Sequence, residues 1–328
     1  MNPIIISMGD PTGVGPEIIV KALSAGELDG FSRPLLVAGD PGVLLRAARL
    51  FEPGAVIESP ERAECRLQMG SRKLRIQALS RLAAERIAYG HPDLACGAAM
   101  ASYIDWAASR CIRGDAAAIV TCPINKAAIN AAGVHFPGHT ELLAQRCGVD
   151  RVVMMLAGEK LKVCLVTTHL ALSDVPAALS RENILATIRI VDNAFRHQFQ
   201  RARPRLAVLA LNPHAGEDGL FGDEEQRLIA PAIAAARREG IGASGPHSAD
   251  TLFHFAARGE YDAVICMYHD QGLIPLKLLH FEDAVNVTLG LPIVRTSVDH
   301  GTAYDLAGTG RASTESLLAA IRMAIRMA

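Results

Sequence analysis

Residues Lys162–His169 read KVCLVTTH, and the same design returns at Arg205–His214 (RLAVLALNPH) and Asp262–Asp270 (DAVICMYHD). Each is a short, continuous apolar run rich in β-branched residues that closes on a polar segment bearing a histidine. A strand with one wet face alternates apolar and polar residues, whereas a strand covered on both faces, as in parallel sheets, reads as a continuous apolar run. Five further runs fit this pattern: PIIISMGDP from Pro3, PLLVAGDP from Pro34, AAIVTCP from Ala117, VVMMLAG from Val152 and PIVRTSVDH from Pro292. Amphipathic segments separate them, one over Pro92–Arg110, one after Ser180 (RENILATIRIVDNAF) and one (DEEQRLIAPAIAAARRE) that stops at Gly240. Ser180 has the side chain of an N-cap and Gly240 the freedom of the residue past a C-cap. Strands alternating with helices predict an α/β fold with a largely parallel sheet.

The chain has 328 residues, enough for two lobes, although no low-complexity linker marks a boundary. The closing IRMAIRMA reads as helical tail. With 33 Lys+Arg against 34 Asp+Glu the formal charge is −1, so no global field favours nucleic acid or an acidic membrane surface. Any anionic ligand must be held by a local cluster. No apolar run reaches the roughly 18 residues of a membrane span. The N-terminus lacks a basic segment and ends its apolar run in Gly-Asp-Pro, which predicts a strand rather than a secretory signal. The seven cysteines form no Cys-x-x-Cys pair, and Cys122, Cys164 and Cys266 lie inside apolar runs; buried free thiols in a reducing cytoplasm are expected.

The chemistry concentrates where the strands end. His169, His214 and His269 each lie just past an apolar strand, at the edge where open α/β sheets bind ligands. Three imidazoles there suit a divalent ion with an open position, although any one of them could simply cap its strand. Asp270 beside His269, and Asp250 in GPHSADTLF, offer accessory carboxylates. In GVHFPGHTELLA, Thr140 reads as a helix cap and His139 as either a ligand contact or part of that cap. Lys277, Asn286 and Arg295 follow, and the two cations suit a phosphate or an ordinary solvated surface. GDPTGVGPE (Gly9–Glu17) has neither the Gly-x-Gly-x-x-Gly nor the Gly-Lys-Ser/Thr form, and alone reads as a tight turn. The small residues of DHGTAYDLAGTGRAS (Asp299–Ser313) allow close backbone approach to a ligand, or form a surface loop.

Taken as ordered blocks, MGDPTGVGPEI, TCPINKAAI, PGHTELLA, TTHLALSDVP, LNPHAGEDGLFGDEE, ADTLF, YHDQGLIPLK and VRTSVDHGTAYDLAGTGRA span nearly the whole chain. Together they resemble the 4-hydroxythreonine-4-phosphate dehydrogenase family of vitamin B6 biosynthesis. That resemblance implies a two-lobed fold like that of isocitrate and isopropylmalate dehydrogenases, not a standard Rossmann fold. Residues 1–127 with 275–328 would form the lobe carrying the NAD loop, and residues 128–274 the lobe carrying the metal-binding strand ends and dimer contacts. It implies that His169, His214 and His269 bind one divalent ion (zinc, magnesium or cobalt), and that His139, Thr140, Lys277, Asn286 and Arg295 contact a phosphorylated substrate. His300, Gly301, Thr302, Ala303 and Asp305 would bind NAD or NADP. Lys277, Asp250 and Asp270 are the candidates for proton transfer. Members of the family are homodimers with the active site at the subunit interface, both chains supplying metal ligands.

The reaction implied is oxidation of 4-phosphooxy-threonine with loss of CO₂ to give 3-amino-2-oxopropyl phosphate. Paralogues oxidise D-threonate or D-erythronate 4-phosphate, other 3-hydroxy acids or dihydrodiols. A different class, a metal-dependent hydrolase, would use the three histidines to activate water but would have no need of a loop such as His300–Gly310.

Overall fold

The computed structural model describes residues 1–136 and 138–328. They form two compact units, Met1–Asp150 with Leu291–Ala328, and Arg151–Gly290. The first unit runs through β1 (Ile4–Ser7), α1 (Gly15–Ala25), β2 (Leu35–Gly39), α2 (Pro41–Ala48), β3 (Val56–Glu58), β4 (Glu64–Met69), β5 (Arg72–Ala78), α3 (Leu94–Ile112), β6 (Ala118–Thr121), α4 (Lys126–Ala131) and α5 (His139–Cys147). The second holds β7 (Val153–Ala157), β8 (Lys162–Leu165), α6 (Val175–Ala178), α7 (Arg181–His197), β9 (Leu206–Leu209), α8 (Ala230–Arg238), β10 (Ala243–His247), α9 (Ala249–Ala256), β11 (Ala263–Cys266), α10 (His269–Leu279) and β12 (Val285–Leu289). The chain then returns to the first unit as β13 (Val294–Val298) and α11 (Glu315–Met327).

In the first unit the strands lie in the order β13-β6-β1-β2-β5-β4-β3. The sequence from β13 to β5 is parallel, and β5, β4 and β3 close the edge as antiparallel neighbours. Ile4, Ile5 and Ile6 are all buried, as a strand covered on both faces requires; each such side chain contributes about 1.5–3 kcal/mol of burial. The edge strands β3 and β4 were not among the continuous apolar runs, because they alternate: β4 shows Cys65, Leu67 and Met69 inward and Glu64 and Arg66 outward. The second unit orders its strands β10-β9-β11-β8-β7-β12, parallel from β10 to β8 and antiparallel beyond. Its core gathers Leu156, Val163, Leu165, Leu209, Val264 and Leu276. The mostly parallel α/β reading therefore holds.

The unit boundaries fall near 150 and 290 rather than at 127 and 275. Helices α4 and α5 pack on α3, which binds residues 128–150 to the first unit, and β12 pairs with β7, which keeps residues 285–289 in the second. Ser180 does cap α7: its hydroxyl accepts the Asn183 N–H while the Asn183 side chain accepts the Ser180 N–H. Gly240 follows α8 at φ 78°, as a residue past a C-cap does.

Gly97 sets how closely α4 approaches α3, because a Cβ there would lie 2.1 Å from the Ala128 carbonyl oxygen. Gly97→Ala must therefore push α4 outward, and urea unfolding should show a loss of roughly 1–3 kcal/mol, the usual scale for overpacking. Unchanged stability in that variant would mean that α4 is not seated on α3 as described.

Candidate active site

Strands β8, β9 and β11 leave the second unit's sheet side by side, and polar side chains tie their ends. Thr167 donates its hydroxyl to the Met267 carbonyl at 2.7 Å. The buried Gln271 accepts the Met267 N–H and donates to the Ala210 carbonyl, both at 2.7 Å, so one side chain joins the end of β11 to the end of β9. On this frame His169 and His269 come together, with ring centroids 5.6 Å apart. Asp270 Oδ1 lies 2.7 Å from His269 Nδ1. A carboxylate on Nδ1 favours the tautomer whose Nε2 keeps its lone pair, the form that ligates metals. Both histidines line a cavity of about 260 Å³ with Thr168, Leu172, Tyr268 and Asp270. Two imidazoles oriented in this way suit a divalent first-row ion.

His214 is placed differently. It opens a turn in which His214, Ala215, Gly216, Glu217 and Asp218 all have positive φ, between 42° and 82°. Left-handed backbone costs a non-glycine residue about 1–2 kcal/mol, so the run needs external support. The ring of His214 sits 6.3 Å from that of Phe221. Among the described residues of one chain, no group of three His, Cys, Asp or Glu side chains is placed to hold a metal. Strand-end position therefore gathers two of the three histidines within a chain, not all three.

In the first unit a second cluster, formed by Thr121, Lys126, His139 and Glu141, surrounds Arg295, on β13. The side chain is buried and donates to Thr121 Oγ1 at 2.7 and 3.2 Å. Burial pulls its pKa down to about 10, partly offset by Glu141, so it stays cationic at neutral pH. His139 is held neutral: burial first, then the charges of Arg295 and Lys126, push its pKa well below the usual range. Among the described residues its buried Nε2 finds no hydrogen-bond partner; separately, in the second unit, neither does the buried Asn286 Oδ1 of β12. A buried polar atom without a partner costs about 1–3 kcal/mol, a debt that a bound ligand would relieve. Helix α5 begins at His139 with Gly138 at its N-cap, so Thr140 lies inside the first turn and does not cap the helix, contrary to the expectation. With Gly138 as N-cap the helix starts two residues earlier than a Thr140 cap would allow.

The two glycine-rich segments that read weakly on their own meet each other. The Val14 N–H bonds the Thr302 carbonyl at 3.0 Å. Tyr304 donates to Asp10 Oδ2 at 2.7 Å and accepts from Asn125 at 2.6 Å, while Asp10 Oδ1 accepts both the amide and hydroxyl of Thr12. Burial and the Asp10 bond raise the Tyr304 pKa, which keeps the phenol protonated as donor. The buried Glu17 accepts the Gly308 N–H at 2.8 Å, and Lys21 donates to the carbonyls of Gly310 and Ala312. The stretch holding His300, Gly301, Thr302, Ala303 and Asp305 is thus braced from Asp10, Glu17 and Lys21, beside the point where β2 and β6 flank β1 on opposite sides. Sequence reasoning passed over Asp10, Glu17, Lys126 and Tyr304; for Asp10, Glu17 and Tyr304 the signal available was their position in the two glycine-rich blocks, and for Lys126 its place in TCPINKAAI.

The remaining candidates sit apart from these bonds. Asp250, at the start of α9, is exposed and accepts the Ser248 hydroxyl at 2.7 Å. Lys277 lies two turns along α10 from His269, its Nζ 5.7 Å from the centre of the Phe281 ring. His280, an unremarkable histidine by sequence, is structural: it accepts the Lys160 N–H and pairs with Asp283.

The fold is that of an α/β protein with polar chemistry at the carboxyl edges of parallel strands: a histidine pair in the second unit, and a buried arginine and a braced glycine-rich loop in the first. A family model described as "Pyridoxal phosphate biosynthetic protein PdxA" matches residues 31–324. A 4-hydroxythreonine-4-phosphate dehydrogenase of Geobacter metallireducens is 58% identical over 325 residues, covering 99% of this chain and 95% of that one. A D-threonate 4-phosphate dehydrogenase of Salmonella typhimurium is 45% identical, covering 99% and 98%. The crystal structure of 4-hydroxythreonine-4-phosphate dehydrogenase from Klebsiella pneumoniae superposes with a TM-score of 0.88 at 40% identity, covering 100% and 99%. The chain belongs to the PdxA family, a family of dehydrogenases.

The depressed His139 pKa carries a stability consequence. Between the lowered folded value and about 6.5, the unfolded chain binds a proton that the folded chain does not, so stability falls as pH drops through that window. Thermal unfolding at about pH 7.5 and 5.5 should show a larger drop in Tm for the wild type than for His139→Gln. Equal drops would mean that His139 titrates normally.

Proposed function

We propose that this chain oxidises the secondary alcohol of 4-phosphooxy-L-threonine, with NAD or NADP as acceptor, and releases CO₂ to leave 3-amino-2-oxopropyl phosphate, a step of pyridoxal phosphate biosynthesis in the cytoplasm. The observation that carries the reading is the buried Arg295 beside a neutral His139 whose Nε2 has no hydrogen-bond partner among the described residues, in a protein with almost no net charge. Such a pocket supplies the local charge that a phosphorylated substrate needs. His139, Thr140, Asn286, Arg295 and Lys277 would bind the substrate.

When bound, the nicotinamide accepts the electron pair and a divalent ion (zinc, magnesium or cobalt) supplies positive charge at the substrate oxygens. His169, His214 and His269 would hold the ion, and the loop from His300 to Asp305 the dinucleotide. In the oxidation, the alcohol carbon gives up its hydrogen with the electron pair, and the hydroxyl proton passes to a base. The resulting β-keto acid breaks its bond to the carboxylate, and a proton returns to that carbon. Asp270 already serves His269, which leaves Lys277 or Asp250 to take the hydroxyl proton.

The working unit is a homodimer in which both chains supply metal ligands. The separation of His214 from the His169–His269 pair supports this, as do the exposed Leu170, Leu172, Leu220, Ile274, Leu278 and Phe281 of the second unit.

The decisive assay follows 340 nm absorbance with NAD or NADP, a divalent ion and either 4-phosphooxy-L-threonine or D-threonate 4-phosphate. Turnover of the first by a much larger kcat/KM is expected, abolished by a chelator and restored by added metal. Preference for the second would overturn the substrate assignment. Arg295→Ala should lower kcat/KM roughly tenfold to a hundredfold, the worth of a charged hydrogen bond at about 1.5–3 kcal/mol. It should cost little against an unphosphorylated substrate and leave dinucleotide affinity unchanged. An equal loss on both substrates would show that Arg295 orders the site instead of binding phosphate.

A further inference from the structure

The left-handed turn that carries His214 is the most unusual piece of backbone in the chain, and it does not hold itself. Four of its five positive-φ residues are not glycine, and such runs persist only where their surroundings impose them. One buried side chain bonds the chain where it enters this turn and lies against its middle. Glu225 is 3% exposed. Its Oε1 accepts the N–H groups of Leu211 and Asn212, both at 2.8 Å, where the chain leaves β9 and enters the turn. Its Oε2 accepts from the Asn212 side-chain amide at 3.0 Å, and that amide also donates to Glu224 at 2.7 Å. The same Oε2 lies against the middle of the turn: a Cβ on Gly216 would sit 2.7 Å from it, so only glycine lets the carboxylate close on the backbone. At the exit, the Phe221 N–H returns to the Gly216 carbonyl at 3.1 Å.

Glu225 is itself presented on a single π-turn, Glu225–Ile229, that leads into α8. One-turn π segments are rare and gather at functional sites. Burial would push the Glu225 carboxyl upward, but the Asn212 and Leu211 donors outweigh it and hold the group below its usual range. It is therefore an ionised carboxylate, able to accept on both oxygens.

We propose that Glu225 is a positioning residue of the candidate metal centre, locking the left-handed turn so that His214 is aimed outward as a ligand. The proposal rests on the reading of His214 as a metal ligand. Outer groups that orient a ligand typically change metal affinity tenfold to a hundredfold when lost.

The test measures Zn²⁺ and Co²⁺ binding alone, by calorimetry and by the visible absorption of the Co²⁺ form, for the full-length wild type, Glu225→Gln and His214→Ala. Glu225→Gln keeps the shape and one acceptor oxygen but replaces the other with an amide that faces the Asn212 amide. The expected result is a tenfold to hundredfold weaker metal affinity and an altered Co²⁺ spectrum, with dinucleotide affinity close to wild type. Wild-type metal binding in Glu225→Gln beside a loss in His214→Ala overturns the positioning role and leaves the metal reading standing. Wild-type binding in His214→Ala overturns the metal reading itself. A fall in dinucleotide affinity that matches the fall in metal affinity overturns the proposal, because it marks a general structural role. Should Glu225→Gln fail to fold, Gly216→Ala displaces the same carboxylate from the other side and is read by the same outcomes.

Discussion

When a chain leaves a parallel sheet at the carboxyl edge, its amide groups lose their ladder partners while still surrounded by protein. Each one left unpaired costs about 1–3 kcal/mol, so side chains must take over where strands stop. In this protein they do so at every strand end that carries a candidate site. Gln271 and Thr167 serve β8, β9 and β11; Glu225 serves the exit from β9; Asp10 and Asp40 serve β1 and β2, with Asp40 accepting from Gly42, Val43 and Leu82. Each of these groups bonds backbone, so the loops beyond the strands are tied to the strand ends they leave.

Electrostatics then divides the labour. The protein as a whole is nearly neutral, so recognition of an anion depends on a few buried groups whose charge water does not screen. Arg295 keeps its proton despite burial, whereas His139 beside it loses its own, and the two outcomes have one cause. A guanidinium resists deprotonation far more strongly than an imidazole, so crowding two cationic groups into a dry pocket neutralises the weaker one. The result is a permanent cation next to a neutral hydrogen-bonding ring.

Much of this was legible before any coordinate. Residues such as Ile4–Ile6 and Ala263–Cys266 declare fully buried strands because no alternation interrupts them, and a histidine directly after such a strand can only emerge at the sheet's carboxyl edge. Strand β4 gives no continuous run for the converse reason: Cys65, Leu67 and Met69 are spaced by the exposed Arg66 and the half-buried Gln68. Helix α5 was placed correctly, but its first residue was not, since Gly138 as well as Thr140 can occupy an N-cap and local chemistry does not choose between them. The unit boundaries went astray because α4 and α5 are assigned by packing on α3, a contact with no local signature.

What the sequence determined by itself was periodicity: which segments are strands and helices, which ends bear imidazoles, and that the whole is a mostly parallel α/β protein. Those properties depend on residues a few positions apart. The tertiary structure alone decided that GDPTGVGPE and the helix it opens brace the loop after β13 through Asp10, Glu17 and Lys21, almost three hundred residues away in the chain, and that His169 meets His269 while His214 turns aside. Hydrogen bonds and close packing act over a few ångströms of space whatever the separation along the chain. Pairings of that kind exist only once the sheet has brought distant strand ends to a common edge.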